Sequence, residues 1–301
     1  MTRFIRERAR RLGFNHVGIA QASRLSPEGN RLQEWLERDF HATMVWMNGR
    51  AEERRDLNRY FPEARSIVSL TLNYFHGHSH GELRISNYAW GDDYHQVMKT
   101  RISDLLTEIQ RIRPEVRGVV CVDTSPVMEK AWARRAGIGW IGKHTNLITR
   151  DYGSWLFLGE LILDCDLDYD SMFDDDLCGT CTACIEACPT GAIVEEYILD
   201  ANRCISYLTI EHRDQLPDQM ADQLDGWIYG CDVCQEVCPW NSRFAKTSSE
   251  SSFAPREEIT SRTAKEWREM TAEDFRRSFE NSAVKRAKFD GLKRNIKANL
   301  K

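Results

Sequence analysis

One run of cysteines restricts this chain more than anything else in it. Cys178-x2-Cys181-x2-Cys184-x3-Cys188-Pro189 has the spacing with which bacterial ferredoxins hold [4Fe–4S] clusters. Three thiolates on one short loop wrap a cubane face, and the fourth, carried onward on a helix, points at a second cluster. Zinc is the alternative for clustered thiols. A half-motif, Cys231-x2-Cys234-x3-Cys238-Pro239, lacks a cysteine three residues upstream, where Ile228 stands. Cys204 is the replacement, 27 positions before Cys231. With crossed ligation, cluster one takes Cys178, Cys181, Cys184 and Cys238. Cluster two takes Cys188, Cys204, Cys231 and Cys234. Of the 10 cysteines, only Cys121 and Cys165 are then left over. Cys121 reads as core, and Cys165 has no partner in reach.

Reduced, metal-binding thiols belong to a cytoplasmic chain. The first residues, MTRFIRERARRLGF, are Arg-rich, but Glu7 and the strand-like HVGIA that follows make them a folded helix rather than a targeting segment. No apolar run reaches the ~18–20 residues of a membrane helix, so no membrane partner is expected. With 42% apolar and 29% charged residues, the composition excludes a disordered chain. The net charge of −5 hides an asymmetry: residues 241–301 hold 15 Lys+Arg against 9 Asp+Glu. A basic tail suits a polyanion or is a solvated helix surface.

Hydrophobic periodicity predicts helices over 1–13, 28–40, 43–55, 93–112 and 126–135. It predicts strands over 16–20, 65–74 and 117–123, with 145–150 and 154–163 as a hairpin through Asp-Tyr-Gly. Residues 76–93 read as a loop with short structure, and helical pieces recur near 271–280 and 283–298. Seven aspartates within 164–176 mark a boundary. The expected domains are 1–165, mixed α/β; 166–240, two-cluster and ferredoxin-like; and 241–301, basic and partly helical.

Two clusters are wires, so the first domain must consume electrons, one at a time, through a cofactor such as flavin or a corrinoid. No G-x-G-x-x-G follows a strand, and there is no Walker A or D-x-H-x-x-G segment. This leaves nicotinamide, ATP and a histidine-ligated corrinoid without support. Asp123 ends a strand before a glycine-rich turn, as a general acid or as a cap of the next helix. Lys143 and His144 grip a cofactor or form a surface pair. His95 lines a pocket or is structural.

The segments VDTSPVMEKAWARRAGIGWIGKHTNLI, AWGDDYH, GSWLFLGELIL, CGTCTACIEACPTGAI, RCISYLTIE and GCDVCQEVCPWN together resemble the epoxyqueuosine reductase family, which is related to reductive dehalogenases. The resemblance implies an α+β protein: a nitroreductase-like α/β cobalamin domain, then a bacterial-type two-cluster ferredoxin domain and a short basic helical tail. It implies reduction of epoxyqueuosine to queuosine at the tRNA wobble position by cob(I)alamin, fed by two [4Fe–4S] clusters and an external one-electron donor. By position, Asp123 matches the proton donor, with a pKa expected to be raised by burial. Arg54, Ser86, Asp123, Lys143, Leu158, Ser206 and Asp232 match positions around cobalamin. Lys130, Thr209 and Glu211 match positions near RNA, and Lys285, Arg286, Lys288, Lys293, Arg294 and Lys297 of the tail are candidate phosphate contacts. A monomer is expected. The competing readings are a two-cluster electron carrier without cobalamin and an RNA-binding protein with structural clusters.

Overall fold

A computed structural model describes residues 1–300. Two strands buried along their whole length, β2 (Ser66–Asn73) and β4 (Leu156–Leu163), set the architecture. Strands this apolar need cover on both faces. They form the centre of a four-stranded sheet whose edges are β1 (His16–Gln21) beside β2 and β3 (Gly118–Cys121) beside β4, every neighbour antiparallel. On one face lie α1 (Thr2–Arg11) and α3 (Tyr94–Ile112), which present Ile5, Ala9, Met98, Ile102, Leu105 and Ile109 to Leu70, Leu161 and Leu163. On the other face α4 (Glu129–Arg135) and the start of α2 (Ser26–Glu37) enclose Leu25, Ile67, Trp132 and Ile162. One carboxyl interrupts this layer: Glu160 in β4, opposite Ser69 and Cys121.

Two predicted elements differ, and a third gains a partner. The helix expected over 43–55 is broken into Trp46–Gly49, Ala51–Arg55 and Leu57–Tyr60. Gly49 weakens the first break, and Asp56 caps the third piece by accepting from the Asn58 N–H at 3.1 Å. The hairpin does not form as expected. Leu147–Ile148 pairs with Trp140–Ile141, and only the bridge Thr149–Gly153 leads into β4. Periodicity cannot report a strand's partner. The loop expected over 76–93 contains Arg84–Ile85, which pairs in parallel with Trp227–Tyr229. Ser86 N–H donates to Tyr229 O at 2.8 Å, so this segment ties the sheet to the cysteine-rich region.

The C-terminal segment is a packed helical cap. In α5 (Lys288–Asn299), Leu292 and Ile296 join Trp267, Phe275, Phe279 and Ile228 in one apolar cluster. The buried Asn295 amide donates to Thr209 O and Ile228 O, both at 2.9 Å. Capping boxes at Thr263/Glu266 and Thr271/Asp274 start two of its shorter helices. Among the described residues, no helix is long and apolar enough to cross a membrane.

Candidate active site and cluster sites

The cysteines separate into two sets in space. Cys178, Cys181, Cys184 and Cys238 line one cavity of about 180 Å³, with Lys143, His144 and Trp240. Burial, then the neighbouring sulfurs Cys178, Cys238 and Cys181, push the Cys184 thiol up to about 11. The other set is Cys188, Cys204, Cys231 and Cys234. Burial raises the last three thiols, and each is raised further by sulfurs of the same set. Thiols held this high favour protons over bare thiolates, and iron removes that penalty by taking the thiolates as ligands. Short helices after Thr182 and Asp232 aim Cys184 and Cys234 inward. Each set brings cysteines from both motifs together, in the crossed arrangement.

Asp123 lies between the sheet and the second set. Its φ of 55° is left-handed, an uncommon conformation for a non-glycine residue. Its N–H donates to Glu129 Oε1 at 2.6 Å, and its Oδ2 lies 3.1 Å from His95 Nε2. His95 Nδ1 is 2.7 Å from Asp93 Oδ1, and Asp93 also caps α3 by accepting the His95 N–H at 3.0 Å. Both imidazole nitrogens therefore face carboxylates and both carry protons. Burial opposes that charge, but the Asp123 and Asp93 carboxylates raise the His95 pKa to about 9. The same pair corrects the expectation for Asp123. Burial pushes its carboxyl up, but hydrogen bonding and charge from His95 outweigh this and hold it below its ordinary value. Nor does Asp123 cap a helix, because α4 begins six residues later with no side-chain cap.

Asp123 has protein on most sides, yet 58% of its side-chain surface remains open. It lies in an open depression bordered by Arg54, His95 and Lys130. Lys130, on α4, is enclosed and reachable in the same way. Its Nζ donates to Thr145 O at 3.0 Å and Asn146 Oδ1 at 2.9 Å. Burial lowers its pKa, against the pull of Cys234, Glu129, Asp123 and Cys204. Lys130 thus stands between the acid and the second set. Arg54 is buried beside the same loop, donating to Ser125 O at 3.2 Å. Burial lowers its pKa while Asp123 and Glu129 raise it, and its Nε has no partner.

The remaining predicted residues are dispersed. Ser86 Oγ donates to the buried Asp232 at 2.5 Å, and Asn87 N–H donates to the other Asp232 oxygen at 2.7 Å. Leu158 packs with Ala133 and Leu147 under the cleft. Ser206 lies in the helix that follows Cys204. Lys143 and His144 are buried rather than a surface pair. Lys143, 3% exposed, pairs with Glu196 and donates to Gly179 O, both at 2.7 Å, so it belongs to the first set. Burial lowers His144 to about 4. Thr209 is corrected from an RNA contact to an interior residue: it is 1% exposed, and its hydroxyl donates to Ile205 O and accepts from Gly230 N–H.

The tail cations divide. Arg294 donates to the carbonyls of Leu208, His212 and Asp214 and staples the cap instead of facing solvent. Lys293 donates to Arg268 O at 2.6 Å. Arg286 makes a two-bond pair with Glu211 at 2.8 Å each. Lys285 is exposed. Sequence reasoning missed Asp93, Glu129 and Glu160. Only Glu160 left a signal, as one carboxylate inside the apolar run LFLGELIL.

Comparison with known proteins covers both regions. Residues 177–241 match the family described as 4Fe-4S double cluster binding domain. Residues 54–124 match the family described as epoxyqueuosine reductase QueG, DUF1730. An epoxyqueuosine reductase of Cellulophaga algicola is 47% identical, over 97% of this chain and 95% of its own. An epoxyqueuosine reductase solved with an epoxyqueuosine-modified tyrosine tRNA stem loop is 30% identical, with TM-score 0.88 over 98% of this chain and 80% of that one. The Bacillus subtilis epoxyqueuosine reductase, solved with its catalytic aspartate loop swung out of the active site, is 28% identical, with TM-score 0.87 and the same coverage.

Proposed function

This chain belongs to the epoxyqueuosine reductase family, and on that premise we propose that it reduces epoxyqueuosine to queuosine at the tRNA wobble position. An epoxide, two electrons and two protons become an alkene and water. The observation that carries this reading is the Asp93–His95–Asp123 chain on the floor of an open cleft, with Lys130 leading from it to the second cysteine set.

The cleft is the site for cobalamin in a nitroreductase-like domain of residues 1–165, wired to clusters in 166–240. The fit rests on the unpartnered, buried Arg54 Nε and on the open space above Asp123. Arg54, Lys130 and Leu158 border that space, and Ser86 and Asp232 back its cluster side. Lys143 stands at the first cluster instead. When bound, the corrinoid receives single electrons through the clusters and supplies the nucleophilic metal that opens an epoxide.

The chain's own residues manage the proton. At pH 7, His95 holds it between Asp93 and Asp123. An opening epoxide oxygen is far more basic than either carboxylate. Asp123 therefore hands on a proton that His95 replaces, rather than storing one itself. The RNA loop presents an unstacked base to the cleft, with Lys130, Lys285 and Arg286 on its approach. An external one-electron donor supplies the first cluster, and the chain acts as a cytoplasmic monomer.

Anaerobic single turnover on an epoxyqueuosine-modified stem loop tests this. Asp123→Asn lowers the rate by ~10²–10⁴-fold, with iron content and RNA affinity unchanged. Full turnover by that variant would falsify the assignment. An unaltered cob(II)alamin paramagnetic resonance spectrum on mixing with the protein would remove the corrinoid.

A further inference from the structure

Glu160 is a carboxyl in the wrong place. It occupies the middle of a central strand, is 0% exposed, and neither oxygen finds a hydrogen bond of ordinary geometry. Among the described residues, no Lys or Arg pairs with it. Its polar neighbour is the carboxyl of Glu129, in the first turn of α4. With Glu160 sealed from water and Glu129 half-buried beside it, the two carboxyls do not both ionise, so the pair retains a proton. Burial, then the Asp123 carboxylate, pushes the Glu129 carboxyl up to about 8, against a hydrogen bond with Glu160 that lowers it, and burial, then Glu129, pushes the Glu160 carboxyl up. The groups facing the pair are Arg54 from the Ala51–Arg55 helix, Tyr94 from α3, Cys121 and Asp123 from β3 and its loop, Lys130 from α4 and Ser69 from β2.

The pair is not idle packing. Glu129 Oε1 takes the backbone N–H of Asp123 at 2.6 Å, and Asp123 stands in a left-handed conformation that an L-residue leaves unless something holds it. His95 grips the Asp123 side chain and Glu129 grips its backbone. In the Bacillus subtilis relative the catalytic aspartate loop has been seen swung out of the active site. A loop with two positions needs a contact that selects one.

We propose that Glu129, backed by the shared proton of Glu160, is the latch that keeps the Asp123 loop in the cleft. Both are positioning residues, and the consequence for turnover rests on the reading of Asp123 as proton donor. The loop with Glu129 in place is the competent one, and losing that acceptor releases it.

The test uses full-length, cluster-replete protein. Hydrogen exchange is followed by mass spectrometry on the peptide spanning 120–128, with single turnover measured in parallel. Glu129→Leu speeds exchange in that peptide by ~10-fold or more, the weight of a hydrogen bond to a charged group, and leaves the peptides of β2 and β4 unchanged. Its turnover falls by a similar factor while RNA affinity holds. Glu129→Gln, which keeps an acceptor oxygen, gives a smaller change in the same direction, and it decides the question if the Leu variant does not fold. Infrared spectra at neutral pH show a protonated-carboxyl band that shifts in deuterium oxide and is lost in Glu160→Gln. Wild-type exchange at 120–128 in both Glu129 variants overturns the latch. So does a wild-type spectrum without that band. A wild-type protein inactive on the modified RNA would sink the function while leaving the exchange result to decide the latch.

Discussion

Two lysines, each beside one set of cysteines, have opposite surroundings. Lys143 is shut in at the first set, with its ammonium between Gly179 O and Glu196, a hydrogen bond and ion pair that raise its pKa. Lys130 stands at the second set on the floor of an open cleft, and burial lowers its pKa. The cysteine motifs alone are near copies. In the proposed reaction their neighbours would make the first set a relay from the donor and the second the delivery point beside Asp123. A motif identifies a cluster, and the walls around it give the cluster its direction.

The sharpest way to break that contrast is to remove one cluster at a time. Cys234→Ser abolishes turnover even with a strong chemical reductant in excess. Cys181→Ser loses turnover with a protein donor but keeps part of it with the chemical reductant, which reaches the second cluster directly. Equal losses under both conditions would erase the distinction.

Exchanging the lysines comes next. Lys130→Met lowers single turnover by ~10-fold or more, a loss of ~1.4 kcal/mol, since it removes the cation between Asp123 and the second set, and it leaves the melting temperature near wild type because its bonds to Thr145 O and Asn146 Oδ1 lie at the exposed surface. Lys143→Met acts mainly on stability. Gly179 is exposed, so water replaces the lost donor and the melting temperature falls only slightly. The half-exposed Glu196 adds little to that loss.

The tail offers a milder test of the same kind, an enclosed cation against an open one. Arg294→Ala removes donors from three carbonyls and destabilises by ~1–3 kcal/mol. Arg286→Ala changes stability by less than ~1 kcal/mol, and it lowers the salt slope of RNA binding by ~1 if it meets a phosphate. Titration gives the smallest effect. Folding raises the His95 pKa, so its stabilisation is full below the unfolded value of about 6.5 and is lost as pH rises through about 9. Melting temperature should fall across that window in wild type and fall less in His95→Gln. Turnover should show an alkaline limb in the same range.

Much of the chemistry was legible because ligand spacing is a local property. A cubane needs thiolates at short, repeated intervals, so a crossed grouping of the eight cysteines could be proposed from position alone, even with Cys204 displaced. Strands β2 and β4 and helix α3 were legible for the same reason, since a buried run and a 3.6-residue stripe are written along the chain. Partnership was not. Leu147–Ile148 could pair with either neighbour, and the 76–93 segment had no mark of its bond to Trp227–Tyr229.

The clearest division lies in the acids. Asp123 stood out by its place at a strand end, but its ionisation depends on His95, 28 residues away in sequence, and its backbone geometry on Glu129. A pKa is the sum of charges and burial brought together in space, so no local pattern carries it. Glu160 was visible only as an exception in an apolar run. Sequence by itself determined which cysteines this protein can offer to iron. Tertiary structure decided which carboxyl is charged, which lysine is open and which cations are already occupied, because those outcomes depend on neighbours that only folding supplies.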